Sequence, residues 1–371
     1  MLYNEIKEVI RQFRFEGKYI GAEELKSGNV NGTYRLHYSA ANGNRSDYIL
    51  QRINTYAFKK PEQVTENIVR VTEHLRRTML AAGENPENRV LTCIPTRDGE
   101  FMYRDQQNHY WRAYRYIHNA FAYDRVEKPE HFREAGRAFG EFQRMLSDFT
   151  AEDLYETIPH FHDTRKRFYA FVAAVDEDKV GRVPELDKEI DFFFDRRKMM
   201  SSIVRRIDDG RIPVRVTHND TKINNIMIDE NTGKAVCVID LDTVMAGSAL
   251  YDYGDAIRFG ANTAAEDEPD TSKISLDLNL FREFTDGFLS EVGDLLTEEE
   301  IRCLPLSIKV MTCELAMRFL TDYIDGDLYF RVNSPEHNLV RAHAQMKLLE
   351  DVESKSDEMN AIIEELIAGR K

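Results

Sequence analysis

The chain has 371 residues, of which 42% are hydrophobic and 31% charged, and its formal net charge is −15. This composition is typical of a folded protein, and the length favours two lobes or domains over one ordinary core. The negative charge argues against nucleic acid or an anionic membrane as a partner, because neither phosphate-rich surface would attract it.

The cysteine pattern and the apolar segments indicate a reducing compartment. The four cysteines lie far apart without a C-x-x-C pair, which argues against a structural zinc site or a disulfide framework: Cys93, Cys237, Cys303 and Cys313. The stretch MLYNEIKEVIRQFRF has no apolar signal core, and no segment approaches the roughly 20 apolar residues of a membrane span. We therefore expect a cytoplasmic protein without a membrane partner.

The first third of the chain predicts a small lobe, residues 1–117, built on an antiparallel sheet. An apolar helical face near the start (Ile6, Val9, Ile10 and Phe13) precedes two β-rich segments, TYRLHYSA and DYILQRIN, separated by turn residues. Pro61 stands where a first helical residue would, and apolar residues then recur with helical spacing. Two or three further strands are predicted in VLTCIPT, EFMYRD and YWRAYRYI.

The remainder, residues 118–371, predicts a larger and mostly helical lobe. Apolar periodicity indicates one helix around Phe132–Leu146 and a second over residues 186–207, and Thr297 with Glu300 forms a capping-box pattern. Two short apolar strands, NIMID and AVCVIDL, interrupt the helices and flank the turn ENTG. The predicted fold class is therefore α+β with two lobes.

The segment THNDTKINNIMID carries the strongest chemical signal. It places His218, Asp220 and Asn225 in the spacing H-x-D-x-x-x-x-N. An aspartate in a rigid loop can orient a hydroxyl and accept its proton, and an amide oxygen five residues later can reach a metal on phosphates. Lys222 could approach the γ-phosphate, and His218 is expected to be a buried scaffold. The alternative is an ordinary polar loop that enters a hairpin.

A second element follows twenty residues after Asp220, where the apolar strand AVCVI ends in Asp240-Leu241-Asp242. A carboxylate at the end of a buried strand is costly unless a cation or hydrogen bonds satisfy it, and hard oxygen ligands suit magnesium. The alternative is a strand-end carboxylate that caps the next loop. A loop with Asp and Asn, a hairpin and a strand ending in Asp together indicate a kinase core.

HNDTKINN and VIDLDTV together resemble the aminoglycoside phosphotransferase and choline kinase-like superfamily, whereas protein kinases carry D-F-G at the second position. The chain is more specifically similar to the subgroup of N-acetylhexosamine 1-kinases. Further segments that carry this resemblance are SGNVNGTYRL, YILQRIN, GSALYDYGDAIRFGAN and RFLTDYIDGDLYF. The resemblance implies the two-lobed protein-kinase-like fold, and phosphorylation of the anomeric hydroxyl of N-acetylglucosamine or N-acetylgalactosamine with ATP and Mg²⁺.

The resemblance also implies roles for individual residues. Asp220 would be the catalytic base, Asn225 and Asp240 metal ligands, Asp242 a weaker metal ligand, and Asp252 a structural brace of the catalytic loop. The turn with Gly28 and Gly32 would cover the nucleotide phosphates, and Asn29 and Asn31 in the same turn would lie near the sugar. The fold would place the adenine against the backbone near Tyr116 and Ile117.

One residue departs from the superfamily. The third strand usually presents a Lys or Arg to the α- and β-phosphates, and this chain has Gln51 at that position. Arg52 is adjacent but would point to the other face of a regular strand. The sugar-kinase subgroup is similar in this respect, yet a neutral glutamine leaves the nucleotide preference open.

The sugar site is predicted near the C-terminus. Arg318 and Asp322 stand four residues apart on a predicted helix and so share a face, and Tyr329 follows the break at Gly326. A surface ion pair and a packing tyrosine are the alternative reading; the resemblance favours a pocket for the sugar.

Two other functions stay open at this level. The chain could phosphorylate a different small alcohol, such as an aminoglycoside, choline or another sugar, although no aromatic cluster clearly forms a cage for choline. It could also be an inactive kinase fold that serves as a binding module, which Gln51 favours and the intact Asp220, Asn225 and Asp240 oppose. The sequence does not reveal the preferred epimer, the kinetic constants or the oligomeric state.

Overall fold

The computed structural model describes residues 2–25 and 30–370. In this part of the chain, the smaller lobe is an antiparallel sheet of five strands in the order β1-β2-β3-β5-β4, with one helix before it and one helix inserted after β3. Its elements are α1 Leu2–Ile10, β1 Lys18–Leu25, β2 Gly32–Ser39, β3 Tyr48–Ile53, α2 Pro61–Ala81, β4 Tyr103–Arg104 and β5 Tyr110–Arg115.

The two faces of this sheet have different partners. Strand residues such as Leu36, Leu50 and Trp111 pack against the apolar face of α1. On the opposite face, Ile53 and Tyr114 pack against α2. Because side chains alternate along a strand, Gln51 and Arg112 lie on this second face, which is the face directed to the larger lobe.

Of the two or three strands predicted after α2, two form, and one of them is shorter than its segment. Residues 90–96 form two isolated bridges instead of a strand, Thr96 with Phe13 and Cys93 with Tyr114, and EFMYRD contributes only Tyr103–Arg104. The pairing with β5 does not continue past the Cys93 bridge, since Pro95 has no N–H to donate and its carbonyl accepts from Arg14 N at 2.9 Å.

The larger lobe contains nine α-helices within the described residues and two small sheets. The helices are α3 Pro129–Met145, α4 Thr164–Glu177, α5 Asp187–Met200, α6 Ser202–Asp208, α7 Ala249–Gly260, α8 Leu278–Val292, α9 Glu298–Asp325, α10 His337–Ser354 and α11 Ser356–Ala368. The predicted helix over 186–207 is therefore divided at Ser201. The predicted capping box at Thr297 and Glu300 is confirmed at the start of α9.

Glycines permit the closest helix packing in this lobe. A Cβ at Gly136 of α3 would lie 2.2 Å from Phe284 O, and one at Gly287 of α8 would lie 2.0 Å from Arg133 O. Any side chain at either position would force the helices apart. The two helices thus form one rigid wall beside Phe132, Phe139 and the other buried aromatic residues of the main core.

The two small sheets hold the segments that the sequence singled out. The first pairs β7 Arg215–Thr217 with β10 Met245–Gly247, and the second has the order β6-β8-β9, with β6 Ala120–Phe121, β8 Ile226–Asp229 and β9 Ala235–Val238. Residues 218–225 connect β7 to β8, and residues 239–244 connect β9 to β10. Because β8 and β9 are antiparallel, both connections lie at the same end of their hairpin, next to the smaller lobe.

The mixed α and β architecture, with an antiparallel sheet in one lobe and a helical second lobe, agrees with the predicted fold class. The four cysteines are free thiols. Among the described helices, none combines the length and the apolar character needed to cross a bilayer.

Candidate active site

His218 fixes the two connections to each other. Its Nε2 lies 2.9 Å from Ile239 O and its Nδ1 lies 3.3 Å from Asp220 N. A carbonyl only accepts and a backbone N–H only donates, so the ring carries its proton on Nε2. The side chain is fully buried, with Phe139 and Phe142 against it edge-on. The predicted scaffold role of His218 therefore has a clear geometric basis.

Asp252 braces the same segment from α7. Its carboxylate accepts from His218 N at 3.0 Å, from Asn219 N at 2.7 Å and from Gln143 Nε2 at 2.9 Å. Burial raises the pKa of Asp252, while the His218 ring and these donors act in the opposite direction. Its oxygens are thus used to hold the backbone before Asp220, in agreement with a structural role.

Backbone strain and close packing shape the segment before Asp220. Asn219 has a left-handed backbone conformation with φ of 64°, and its side-chain Nδ2 donates to Thr217 O and Thr243 O. A Cβ at Gly247 would lie 2.3 Å from Thr217 Oγ1 and 2.9 Å from Asn219 Oδ1. Only glycine fits there without displacing the turn. Strain of this kind is stored where the fold must present one side chain in one direction.

Asp220, Lys222 and Asn225 come together as the sequence predicts. Asn225 Nδ2 donates to Asp220 O at 2.7 Å and contacts Asp220 Oδ2 at 3.3 Å, so the amide oxygen of Asn225 remains for a metal. Lys222 Nζ lies 3.2 Å from Asp220 Oδ1, and this carboxylate raises the pKa of Lys222. Both Asp220 and Lys222 remain partly open to water. A hydroxyl could therefore reach a carboxylate that the protein already orients.

Asp240 presents a strained and uncompensated carboxylate beside them. It has a left-handed backbone with φ of 59°, and its side chain is exposed to water. Partial desolvation by the surrounding protein, and then the neighbouring Asp242 and Asp220 carboxylates, raise the pKa of Asp240 to about 7. The opposing Arg112 and Lys222 charges are too weak to restore it. A cation bound here would relieve this repulsion.

Asp242 makes contacts with the smaller lobe. Asn31 Nδ2 donates to its Oδ2 at 2.7 Å, and Arg112 Nη2 forms an ion pair with its Oδ1. Arg112 Nη1, on the same guanidinium, is buried without a hydrogen-bond partner among the described residues. An unused donor therefore lies beside this ion pair where the lobes meet.

These donors fit a metal that arrives with phosphates. Within residues 2–25 and 30–370, no group of three or more His, Cys, Asp or Glu side chains is arranged to hold a metal by itself. Magnesium commonly takes one or two carboxylates, with phosphate oxygens and water completing its shell. Asp240 and the Asn225 amide oxygen supply such a partial set. Asp242 could join it only by changing its present contacts with Arg112 and Asn31.

The glycine turn is described only in part, because Gly28 and Asn29 lie outside the described residues. At Gly32 an added Cβ would make ordinary contacts with Arg52, so nothing in the described part requires glycine there. Asn31 was predicted near the sugar, but both ends of its amide bind protein: Asp242 accepts from its Nδ2, and its Oδ1 accepts from Asn54 N at 2.9 Å. Asn31 therefore joins the turn to the connection of residues 239–244.

The nucleotide contacts predicted at the link between the lobes need one correction. Tyr116 N donates to Asp47 O at 3.0 Å, so this amide is not free for adenine. Ile117 instead packs with Ala120 and Cys237 in a small apolar cluster at the start of the larger lobe. The candidate adenine contacts are thus Ile117 and the backbone after Tyr116.

Arg318 belongs to a chain of polar side chains that reaches residues 218–225, the candidate catalytic segment. Arg318 Nη1 lies 3.9 Å from Glu314, one turn earlier on α9, and its guanidinium lies over the ring of Phe161. Glu314 contacts His162 Nδ1 at 3.1 Å, and His162 Nε2 lies 3.3 Å from Asn219 O. The predicted sugar-site arginine is therefore connected through two side chains to the residue before Asp220.

Tyr329 lies beside this chain, and Asp322 does not face it. The Arg318 guanidinium is 5.8 Å from the centre of the half-exposed Tyr329 ring. Asp322 is buried and accepts from three backbone N–H groups, those of residues 328–330, and from Asn338 Nδ2. With its oxygens so engaged, Asp322 shapes the loop that carries Tyr329, and we remove it from the predicted sugar contacts.

Three residues of the site were not predicted: Arg112, His162 and Glu314. Arg112 carries a signal, because it is a charged residue inside the aromatic strand YWRAYRYI. Glu314 likewise interrupts a long apolar helix. The contacts of all three join segments that are far apart in sequence, and no local pattern reveals them.

Several solved structures share the whole architecture at low sequence identity. A microcompartment-associated aminopropanol kinase is 14% identical, with 96% of this chain and 98% of that chain covered and a TM-score of 0.62. An amicoumacin kinase in complex with AMP-PNP and Ca²⁺ is 12% identical, covers 95% and 93%, and has a TM-score of 0.60. The ethanolamine kinase of Plasmodium vivax is 11% identical, covers 88% and 82%, and has a TM-score of 0.54. At these identities the likeness establishes the fold.

The sequence itself also matches a family model. The model describes the APH phosphotransferase enzyme family, and it matches residues 21–277, which is more than half of the chain. This range includes the glycine turn, the His218–Asn225 segment, Asp240 and Asp252. The chain therefore belongs to the APH family of phosphotransferases.

Proposed function

We propose that this protein transfers the γ-phosphate of ATP to the anomeric hydroxyl of N-acetylglucosamine or N-acetylgalactosamine, in a magnesium-dependent reaction. The sugar oxygen forms a bond to the γ-phosphorus as the bond between that phosphorus and the ADP oxygen breaks. Asp220 accepts the proton of the hydroxyl. The products are the sugar 1-phosphate and ADP.

The arrangement around Asp220 supports this division of roles. Asp220 is oriented by Asn225 and by the His218 bridge, so a hydroxyl that it binds is held in one direction. An anomeric hydroxyl is more acidic than other sugar hydroxyls, so an ordinary aspartate suffices as base. Lys222 is placed to meet the γ-phosphate. Asn225 and Asp240 would hold Mg²⁺, which when bound neutralises charge on the phosphates.

The nucleotide would enter between the lobes. Its adenine would lie against the apolar cluster of Ile117, Ala120 and Cys237, and its phosphates below the turn that Asn31 closes. Use of ATP and a divalent metal accords with the AMP-PNP and Ca²⁺ bound to the amicoumacin kinase. The two lobes correspond to residues 1–117 and 118–371 in this proposal.

The charge of the acceptor region favours a neutral sugar over an amine. The guanidinium groups of Arg167 and Arg318 both lie against the Phe161 ring, 5.9 Å and 5.2 Å from its centre. Burial and then the neighbouring Arg318 charge lower the pKa of Arg167. The buried carboxylate between them, Glu314, is shared with His162. A positively charged acceptor such as aminopropanol or ethanolamine would be repelled here. This pair of arginines is the observation that carries the acceptor class.

Aromatic and polar groups in the same region suit a sugar. Phe161, Tyr329 and Phe330 surround the Arg318 guanidinium at 5.2–5.8 Å from their ring centres. Aromatic faces can cover the apolar side of a sugar ring, while a guanidinium donates to hydroxyls or to an acetamide oxygen. A site built to pair such groups rejects an analogue that leaves them unpaired.

The test is a panel of acceptors with ATP and Mg²⁺, in which phosphorus NMR locates the phosphate in the product. The panel contains both N-acetylhexosamines, glucose, galactose, aminopropanol, ethanolamine, choline and an aminoglycoside. We expect a 1-phosphate from both N-acetylhexosamines and much poorer use of the plain sugars. Phosphorylation at carbon 6, or equal turnover of an amine, would overturn the assignment of the acceptor and leave the phosphotransferase family intact.

The contribution of Arg318 is tested against a matched arginine of the same helix. Arg318→Ala should raise KM for the sugar about tenfold or more, the effect of losing one charged hydrogen bond, and leave KM for ATP nearly unchanged. Arg302→Ala removes an exposed arginine of α9 that forms an ion pair with Glu299, and should change neither value. An equal effect of both substitutions would remove Arg318 from the pocket.

An inactive kinase fold that only binds ligands is the alternative from another class. Gln51 favours it, and the preorganised Asp220, Asn225 and Asp240 oppose it. Turnover that requires a divalent metal and is lost in Asp220→Asn would exclude a binding module. Absence of turnover with every acceptor of the panel would support one.

A further inference from the structure

A row of polar side chains crosses the sheet on the face directed to the catalytic segment. Thr33, Gln51 and Arg112 are direct cross-strand partners on β2, β3 and β5. Gln51 Nε2 donates to Thr33 Oγ1 at 3.3 Å, and Gln51 Oε1 accepts from Arg112 Nε at 3.0 Å and from Arg112 Nη2 at 2.9 Å. Gln51 therefore fixes the orientation of the Arg112 guanidinium through two hydrogen bonds.

The row continues into the larger lobe and closes on the nucleotide turn. Arg112 Nη2 pairs with Asp242, whose other oxygen accepts from Asn31. Only 2% of Arg112 is exposed, yet its Nη1 has no hydrogen-bond partner within the described residues. A buried guanidinium with an unused donor is unusual and costly, because that donor has lost water without gaining an acceptor.

We propose that Arg112 is the residue that binds the nucleotide phosphates, in place of the basic side chain that position 51 lacks. The inference rests on the proposed use of ATP. With a nucleotide bound, the Arg112 guanidinium would gain a phosphate oxygen, and Asp242 would then be free to act as a metal ligand. The unused Nη1 donor of Arg112 would thereby gain an acceptor.

This arrangement explains why a neutral residue stands at position 51. A lysine there would lie directly opposite Arg112, and like charges facing each other across strands are destabilising. A glutamine offers an acceptor to the guanidinium and a donor to Thr33. The basic side chain therefore lies on β5, as Arg112, and not on the neighbouring strand β3, and it is on the same face of the sheet as position 51. Glu66, a candidate partner for a basic residue at 51, pairs instead with Arg70 on its own helix.

The alternative is that Arg112 only neutralises Asp242, and the choice of ligand separates the two. Arg112→Met should weaken ADP and ATP binding, measured by calorimetry without an acceptor, by roughly 10- to 100-fold, the effect of losing one charged hydrogen bond. Binding of adenosine, which has no phosphate, should stay within about twofold. Arg112→Lys keeps a charge and should lose less, and Arg104→Met on the edge strand β4 should bind all three ligands as the wild type does.

Transfer of the charge back to the neighbouring strand gives the sharpest test. Gln51→Lys in the Arg112→Met background should recover most of the lost ADP affinity, whereas Gln51→Lys alone should destabilise the protein. If Arg112→Met folds poorly because Asp242 is left unpaired, Arg112→Met with Asp242→Asn removes both charges, and it should still bind metal-free ADP more weakly than Asp242→Asn alone.

Unchanged ADP affinity in Arg112→Met, or an equal loss for ADP and adenosine, would overturn the proposal. So would a failure of Gln51→Lys to recover any affinity in the Arg112→Met background. These measurements do not depend on the acceptor, so the sugar assignment can fail while the role of Arg112 holds. A wild-type protein that binds no adenine nucleotide would overturn the proposed function itself, and Arg112 with it.

Discussion

Replacement of Asp252 by alanine tests the brace beneath the catalytic segment. The substitution leaves three buried donors without an acceptor: His218 N, Asn219 N and Gln143 Nε2. Each unsatisfied buried donor costs about 1–3 kcal/mol, and relief from burying the carboxylate offsets part of the total. We expect a loss of about 3–5 kcal/mol in the free energy of unfolding of the larger lobe, a range typical of a broken buried polar pair.

The two lobes must be followed separately, because a two-lobed chain need not unfold in one step. Trp111, the single tryptophan, reports on the smaller lobe by fluorescence, and far-UV circular dichroism reports mainly on the helices of the larger lobe. In urea, Asp252→Ala should shift the dichroism transition and leave the fluorescence transition nearly in place. At low denaturant, where the protein is folded, kcat should still fall because Asn219 and Asp220 lose their anchor.

Gln143 supplies the control through a double-mutant cycle. Gln143→Leu removes one donor to Asp252 and should cost about 1 kcal/mol by itself. In the Asp252→Ala background the same change should cost nothing further, since its partner is already absent. Additive losses would show that the two residues do not act through one another. Unfolding of Asp252→Ala within about 1 kcal/mol of the wild type would refute the bracing argument.

Three further substitutions test the catalytic residues and the packing beneath them. Asp220→Asn should fold normally and lose on the order of 10²–10⁴-fold in kcat, the range for a removed general base. Asp209→Asn, an exposed control, should retain full turnover. If Asp220→Asn keeps more than a tenth of the wild-type kcat, Asp220 is not the base. Asp240→Ala should abolish turnover and weaken the binding of ADP in the presence of Mg²⁺ but not in its absence. Calorimetry with and without Mg²⁺ measures both affinities. An unchanged effect of Mg²⁺ on ADP binding would exclude Asp240 as a metal ligand. Gly247→Ala places a methyl 2.3 Å from a hydroxyl, and should lower kcat and reduce the free energy of unfolding in urea by about 1–3 kcal/mol. Gly369→Ala, where an added methyl makes only ordinary contacts, should leave both values unchanged. Wild-type values for Gly247→Ala would contradict the packing argument.

Local signals explain how much of the molecule the sequence predicts. Helix α2 begins at Pro61, α9 begins at the predicted capping box, and the hairpin around ENTG forms as expected, because each depends on residues close in sequence. Asp220 and Asn225 belong to one short segment for the same reason. The predicted strand at 90–96 failed because strand formation needs a partner ladder, and Pro95 limits the one available.

The contacts that give the site its charge depend on pairing between distant segments. Nothing near Gln51 in the sequence indicates that Arg112 lies opposite it, 61 residues later, or that Asp242 completes the row. Asn31 illustrates the same limit, since its amide was predicted near a sugar and binds Asp242 and Asn54 instead. Strand register and contacts between lobes decide these roles, and neither follows from local patterns.

The catalytic segment and the acceptor region are built in different ways, and this difference bears on specificity. Asp220 is held mainly by β7, α7 and the two connections, which are close together in sequence. The acceptor region instead combines Arg318 of α9, Arg167 at the start of α4 and Phe161 in the segment before α4. The bridge between them is His162, which reaches Glu314 on one side and Asn219 O on the other. A change on α4 or α9 can therefore alter the charge presented to the acceptor without disturbing the base. In our proposal, the charge around His162 and Glu314 favours a neutral sugar as the acceptor of this protein.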